Sequence, residues 1–241
     1  MRAACGLLLA MLALPGCLDG FLGEESVGPR DYLRDSTYTR WVIEMDYVEG
    51  ERPSDDVLNL LQQRMAALAH KPDGVAVERG DELDATGDVW TAESLRELSR
   101  DHRTVDTGGS TVATHVLFLD GSYTDEDALG VTLGHGLVAI FSERVREVCP
   151  ALAVPPCLYT AEDILRAVVV HEFGHVLGLV NNGVPMQTDH EDEGHPGHSD
   201  SPDSVMYWAV ETADVLQRLS GGLPTQFDAN DRADLREAGG K

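Results

Sequence analysis

Positive charge is scarce in this chain: its 241 residues carry 18 Lys+Arg against 42 Asp+Glu, a formal net charge of −24. Without a basic stripe to release counterions from a phosphate backbone, nucleic acid is excluded as a partner, and anionic lipid offers no attraction. The charge otherwise reads as a solubilising surface. Long apolar runs are missing too. The segment from Gly6 to Leu14 is apolar over nine residues, which as a helix rises about 13 Å against a bilayer core of roughly 30 Å. No internal repeat is visible, and no Pro/Gly/Ser-rich linker divides the middle of the chain, so a single domain is expected. What is present is ordinary for a globular protein: 42% hydrophobic and 25% charged residues, with 24 Gly and 11 Pro. That composition excludes collagen-like, mucin-like and wholly disordered chains and leaves a core to bury.

The short apolar run has a positive start at Met1-Arg2 and closes at Leu14-Pro15-Gly16-Cys17, the pattern of a signal-peptide core rather than a membrane span. Its ending resembles a bacterial lipoprotein cleavage box. The resemblance implies that residues 1–16 are a signal peptide, that Cys17 carries the lipid, and that the protein is exported and anchored by acyl chains to a bacterial membrane, in the periplasm or at the cell surface. Of the four cysteines, Cys5 then leaves with the signal. Cys149 and Cys157 remain as an even pair in an oxidising compartment, expected as a disulfide, with two free buried thiols as the alternative. Residues 17–37 are polar and aperiodic and read as the lipidated N-terminus and tether, with folded structure starting near Tyr38.

From there strands and helices alternate. Trp41 to Val48 reads as a strand. Ser54 or Asp55 can cap a helix whose Val57, Leu58, Leu60, Leu61, Met65 and Leu68 fall near helical spacing. Gly74 to Leu83 looks like a second strand, Thr91 to Ser99 a short helix, and Thr111 to Leu119 a strand apolar enough to be central. Leu129 to Phe141 carries three glycines and is expected as an edge strand or hairpin approached by another backbone or a ligand. Asp228 to Glu237 suits a last helix capped by Asp228 or Asn230. The expected class is α+β, α/β-like in its N-terminal half, over residues 38–241.

Thr160, with Asp163 three residues on, has the form of a capping box, and apolar spacing continues as a helix to Gly178. Inside lies His171-Glu172-Phe173-Gly174-His175. Residues four apart stand one turn above each other, so both imidazoles can reach one Zn²⁺ while Glu172 faces its water. With 9 His in 241 residues, composition alone produces such a motif in about one chain in forty.

Extended to Gly178, the motif matches the first eight positions of the metzincin metalloprotease signature H-E-x-x-H-x-x-G-x-x-H, and Ser204-Val205-Met206-Tyr207-Trp208 resembles that family's Met-turn. The eleventh position is Asn181, a poor zinc ligand. The resemblance therefore implies a displaced third ligand, His198, which lies eight residues before Met206 as in matrixins and archaemetzincins, with His190 and then His195 as alternatives. His198-Ser199-x₄-Ser204-x-Met206 is similar to the archaemetzincin pattern with serine in place of both cysteines, which removes that family's extra structural zinc set.

The resemblance implies a metzincin-like twisted mixed sheet with an antiparallel edge strand, a zinc-binding helix, a Met-turn and a C-terminal helix. It implies a monomeric zinc metalloendopeptidase using zinc-activated water with Glu172 as general base, its peptide substrate lying antiparallel to the edge strand. Met206 is expected beneath the metal and Tyr207 near the cleft, with ordinary core packing as the equal alternative for both. The acidic loop of residues 189–203, with Asp189, Glu191, Asp192 and Glu193, is a candidate for a second structural cation or simply a solvated loop. Two competing readings remain: a non-catalytic surface lipoprotein on a degenerate metzincin frame, suggested by Asn181, and a zinc amidase acting on a non-protein substrate.

Overall fold

Period-two alternation fixes the first strand, because successive side chains leave a strand on opposite faces. In β1 (Arg40–Val48), Trp41, Ile43 and Met45 enter the larger core while Val48 enters the smaller one across the sheet. The computed structural model describes residues 27–148, 158–212 and 222–241. Strand β1 lies between β2 (Val75–Leu83) and β4 (Thr111–Leu119), parallel to both. Beyond β4 comes β7 (Leu137–Phe141), again parallel, and then the edge strand β6 (Gly130–Leu133), antiparallel to β7. The order β2-β1-β4-β7-β6 makes a mostly parallel sheet with an antiparallel edge, as expected. Two short strands, β3 (Val89–Trp90) and β5 (Ser122–Tyr123), pair separately.

Residues 129–141 form a hairpin whose two strands play different parts. Gly134 turns the chain at φ 72°, β6 is only partly buried, and β7 is buried throughout. Only the β6 half is therefore an edge. Helices α2 (Asp55–Leu68) and α5 (Ala161–Val176) pack together over the larger core. Trp41 joins sheet to helix there: its ring lies 5.9 Å from Phe173, between the two histidines of α5, and its indole N–H donates to Thr114 Oγ1 at 3.0 Å. Helix α4 (Ser142–Val148), which lacked a sequence signal, follows β7 directly.

The opposite face is docked by α3 (Ala92–His102) through Leu95, buried in the smaller core, and through polar groups. Ser99 Oγ lies 2.8 Å from His115 Nδ1, and His115 Nε2 lies 2.9 Å from Asp46 Oδ2. Asp46 also accepts from the Asp81 N–H at 2.8 Å, at a register shift between β1 and β2. Serine, histidine and aspartate in line invite a catalytic reading, but all three are buried in the fold and no substrate reaches them.

The expected tether is a correction. Helix α1 (Pro29–Leu33) lies within residues 17–37, with Tyr32 and Leu33 wholly buried. Proline at the first position and Asp31, which accepts from the Gly28 N–H at 2.9 Å, start it. Lys71 fastens it by donating to the carbonyls of Asp31 and Tyr38, each at 2.6 Å, and of Arg34. Burial pulls the Lys71 ammonium down to about 8, which leaves it charged at neutral pH. The signal peptide, Cys17 and the Cys149–Cys157 pair lie outside the described residues. Among the described residues, no helix is long and apolar enough to cross a membrane.

Candidate metal centre

Helix α5 begins with a reciprocal cap: Thr160 Oγ1 accepts from the Asp163 N–H at 3.1 Å, and Asp163 Oδ2 accepts from the Thr160 N–H at 3.0 Å. It ends at Gly178, whose φ of 73° is the left-handed conformation that glycine tolerates. Between these ends His171 and His175 stand a turn apart with their Nε2 atoms 3.2 Å from each other. The Val205 carbonyl accepts from His171 Nδ1 at 2.7 Å. That bond fixes the tautomer, so the Nε2 of a neutral His171 presents a lone pair. Burial, and then the neighbouring His171, pull His175 down to about 3, keeping its imidazole neutral.

The third histidine arrives from the loop. His198 packs 5.2 Å from the His171 ring and 5.0 Å from the His175 ring, centroid to centroid. Its backbone is clamped on both sides: its carbonyl accepts from the Asp192 N–H at 2.8 Å, and the next N–H, of Ser199, donates to the Met206 carbonyl at 2.8 Å. Asn181 is exposed, and with Val180 it holds a positive φ that carries the chain away from the helix. The place its motif position would fill is taken by His198.

The two alternative ligands stand elsewhere, which corrects that part of the expectation. His190 is buried with Nε2 2.9 Å from Asp234 Oδ2, on α6 (Ala229–Ala238). Its Nδ1 lies 3.5 Å from Ser199 Oγ, while Ser204 Oγ donates to Asp231 Oδ2 at 2.5 Å. This buried network ties the segment bearing His198 and Met206 to the last helix. His195 stacks on Trp208 at 3.9 Å between ring centres. The acidic loop spends carboxylates on its own backbone: Asp192 accepts from the Gly194 N–H, and Glu191 from the Gly197 N–H, both at 2.7 Å. Asp189, Glu191, Asp192 and Glu193 line one open hollow, but their oxygens do not converge as the donors of a metal site would.

A fourth group joins the three histidines, and the sequence had not singled it out. Glu211, just past the turn Trp208–Val210, places Oε2 3.3 Å from His171 Nε2 and Oε1 2.8 Å from His198 Nε2. Among the described residues, His171, His175, His198 and Glu211 are the one group whose donor atoms converge, all within 4.8 Å. Both ring nitrogens of half-buried His198 are shielded from solvent and lack an aligned hydrogen-bond partner despite the close Glu211 oxygen. A shielded, orphaned His198 Nε2 beside the Nε2 of His171 is what a metal ion would satisfy. Burial alone would raise Glu211, but the His171 and His198 imidazoles outweigh it and hold the carboxyl well below its ordinary range.

Glu172 is fully buried beside this group. Thr132 Oγ1, on the edge strand, donates to its Oε2 at 2.7 Å, while Oε1 has no partner. Gly130 makes room, since a Cβ there would stand 2.6 Å from Oε1. Burial first, then the Glu211 charge, push the Glu172 carboxyl well above the usual range. A cleft of about 280 Å³ runs along β6 past Tyr123, Gly130, Thr132, Glu172, His175 and Glu211. Tyr207 is absent from its lining and packs half-buried against the core, unlike the expected cleft position. Met206 lies where a Cβ on Gly174 would strike its sulfur. Gly174→Ala should therefore cost about 1–3 kcal/mol through overpacking. An unchanged melting temperature would refute that contact.

No protein-family model matches the sequence, and no curated protein matches it. Among solved structures, the archaemetzincin of Methanopyrus kandleri aligns with a TM-score of 0.55 at 11% identity, covering 83% of this chain and 96% of that one. The fold is archaemetzincin-like. The likeness is one of fold, a mostly parallel sheet with an antiparallel edge strand flanked by helices.

Proposed function

We propose that the protein is a zinc-dependent metalloendopeptidase in which His171, His175 and His198 hold the metal. The observation carrying this reading is the convergence of three imidazoles, two from one helix and one from a distant loop, beside a buried glutamate with a free oxygen. A bound zinc ion supplies positive charge that polarises a carbonyl and acidifies water. The chain supplies the rest. Glu172 Oε1 takes the proton of the attacking water and passes it to the leaving amine, while Thr132 holds the other oxygen still. The open side of β6 binds an extended peptide by backbone hydrogen bonds, which are largely blind to sequence. Met206 supports the centre from below.

Export and lipid attachment at Cys17 belong to the same proposal, on the strength of the Leu14-Pro15-Gly16-Cys17 pattern, as do action on peptides as a monomer and a Cys149–Cys157 disulfide. The deciding measurement is the zinc content of residues 18–241 beside His198→Ala and His190→Ala, with casein hydrolysis. About one zinc per chain, lost only in His198→Ala, is expected, because His190 is engaged with Asp234. Wild-type protein without zinc would overturn the reading in favour of a non-catalytic lipoprotein on this frame. Zinc with no casein cleavage, but release from another acyl substrate, would make it an amidase.

A further inference from the structure

We infer that Glu211 is a fourth metal ligand, and that it works as a plug: the centre is closed as folded, and an incoming peptide carbonyl must take the carboxylate's place. The inference rests on the zinc reading above. Donors on a four-coordinate zinc, at about 2.0–2.1 Å from the ion, stand about 3.3 Å apart along the edges of a tetrahedron. The centre is near that size: His171 and His175 Nε2 lie 3.2 Å apart and 3.3 and 3.9 Å from Glu211 Oε2, His198 Nε2 lies 2.8 Å from the other oxygen, Oε1, and one donor atom from each of the four residues lies within 4.8 Å of the rest. Among the described residues, the Glu211 carboxylate meets only these imidazoles. With Nδ1 of His171 bonded to the Val205 carbonyl, its Nε2 is the ring atom that faces a Glu211 oxygen, so the two groups present donor atoms to the same point.

Four protein donors describe a closed site, whereas a hydrolytic zinc centre keeps one position open. Glu211 is placed to leave. Its backbone is fixed, with its carbonyl accepting from the Leu129 N–H at 2.8 Å and Thr212 bridging to Ala128 at the entrance to β6. Only the side chain has to turn, and its neighbouring space is the cleft where a peptide along β6 would lie. The occupant that displaces it is a hard oxygen donor delivered by such a peptide, one oxygen exchanged for another.

The test uses the full chain as wild type, Glu211→Ala and Glu211→Gln, loaded with zinc or cobalt(II), the Gln variant guarding against a fold lost through truncation. Zinc release to a chelator, cobalt visible absorption and binding of acetohydroxamate are measured. Removing Glu211 should speed zinc release at least about tenfold. It should also change the cobalt spectrum as solvent enters, and tighten acetohydroxamate binding. Unchanged release and spectra in both variants, with His198→Ala still zinc-free, would overturn the plug and leave the metallopeptidase standing. A zinc-free wild type would overturn both.

Discussion

Glu172→Gln should keep its zinc and its fold while losing hydrolysis by about 10²–10⁴-fold, the usual contribution of a positioned proton acceptor. The substitution preserves size, and Thr132 can still donate to the remaining carbonyl oxygen. What it removes is the ability to take a proton at the unpartnered Oε1. Gly130 leaves that oxygen facing the cleft, so no protein group stands ready to replace it. Peptide hydrolysis measured beside metal content separates this from loss of the centre. A variant with full zinc and normal turnover would remove Glu172 from the mechanism.

His115→Ala should be the most damaging change away from the centre, at about 3–5 kcal/mol. Asp46 would keep its carboxylate inside the sheet with the Asp81 N–H in support but no imidazole, and the Ser99 hydroxyl would lose its acceptor. An isolated buried charge costs more than the pair contributed, so removing both partners is milder than removing one. Asp46→Leu combined with His115→Leu should therefore recover part of the loss. Denaturant unfolding of the single and double variants gives the coupling directly. A His115→Ala variant as stable as wild type would refute a stabilising contact between His115 and Asp46.

The strands were legible where one strong period governed. Thr111 to Leu119 reads as central because it is apolar over most of its length, and every residue after the first is buried. Trp41 to Val48 alternates between two cores. The helix with His171 and His175 was legible from its cap to Gly178, since capping and apolar spacing agree. His198 was reachable only through its distance from Met206, a likeness rather than a physical rule, because a loop carries no period. Glu211 had no local signal: its role depends on where the turn after Met206 delivers it, a tertiary fact. Helix α1 failed for a different reason. Five residues are too few for periodicity, and Pro29 with Asp31, the marks of a helix start, sit inside a polar run. His190 shows the limit of composition, since a histidine in an acidic loop suggests an ion and here meets the aspartates of the last helix.

The burial of α1 against the fold changes the geometry of the proposed attachment. Pro29 packs against Gly178 and Gly183, at the end of the helix bearing His171 and His175, so α1 moves with the centre as one body. With a lipid on Cys17, only residues 18–26 stand between it and the described fold, a stretch that can span at most about 30 Å. Such an enzyme would patrol a thin shell above the bilayer. Its natural targets would be chains that also begin at that surface, and detergent release should widen the set of proteins it cleaves.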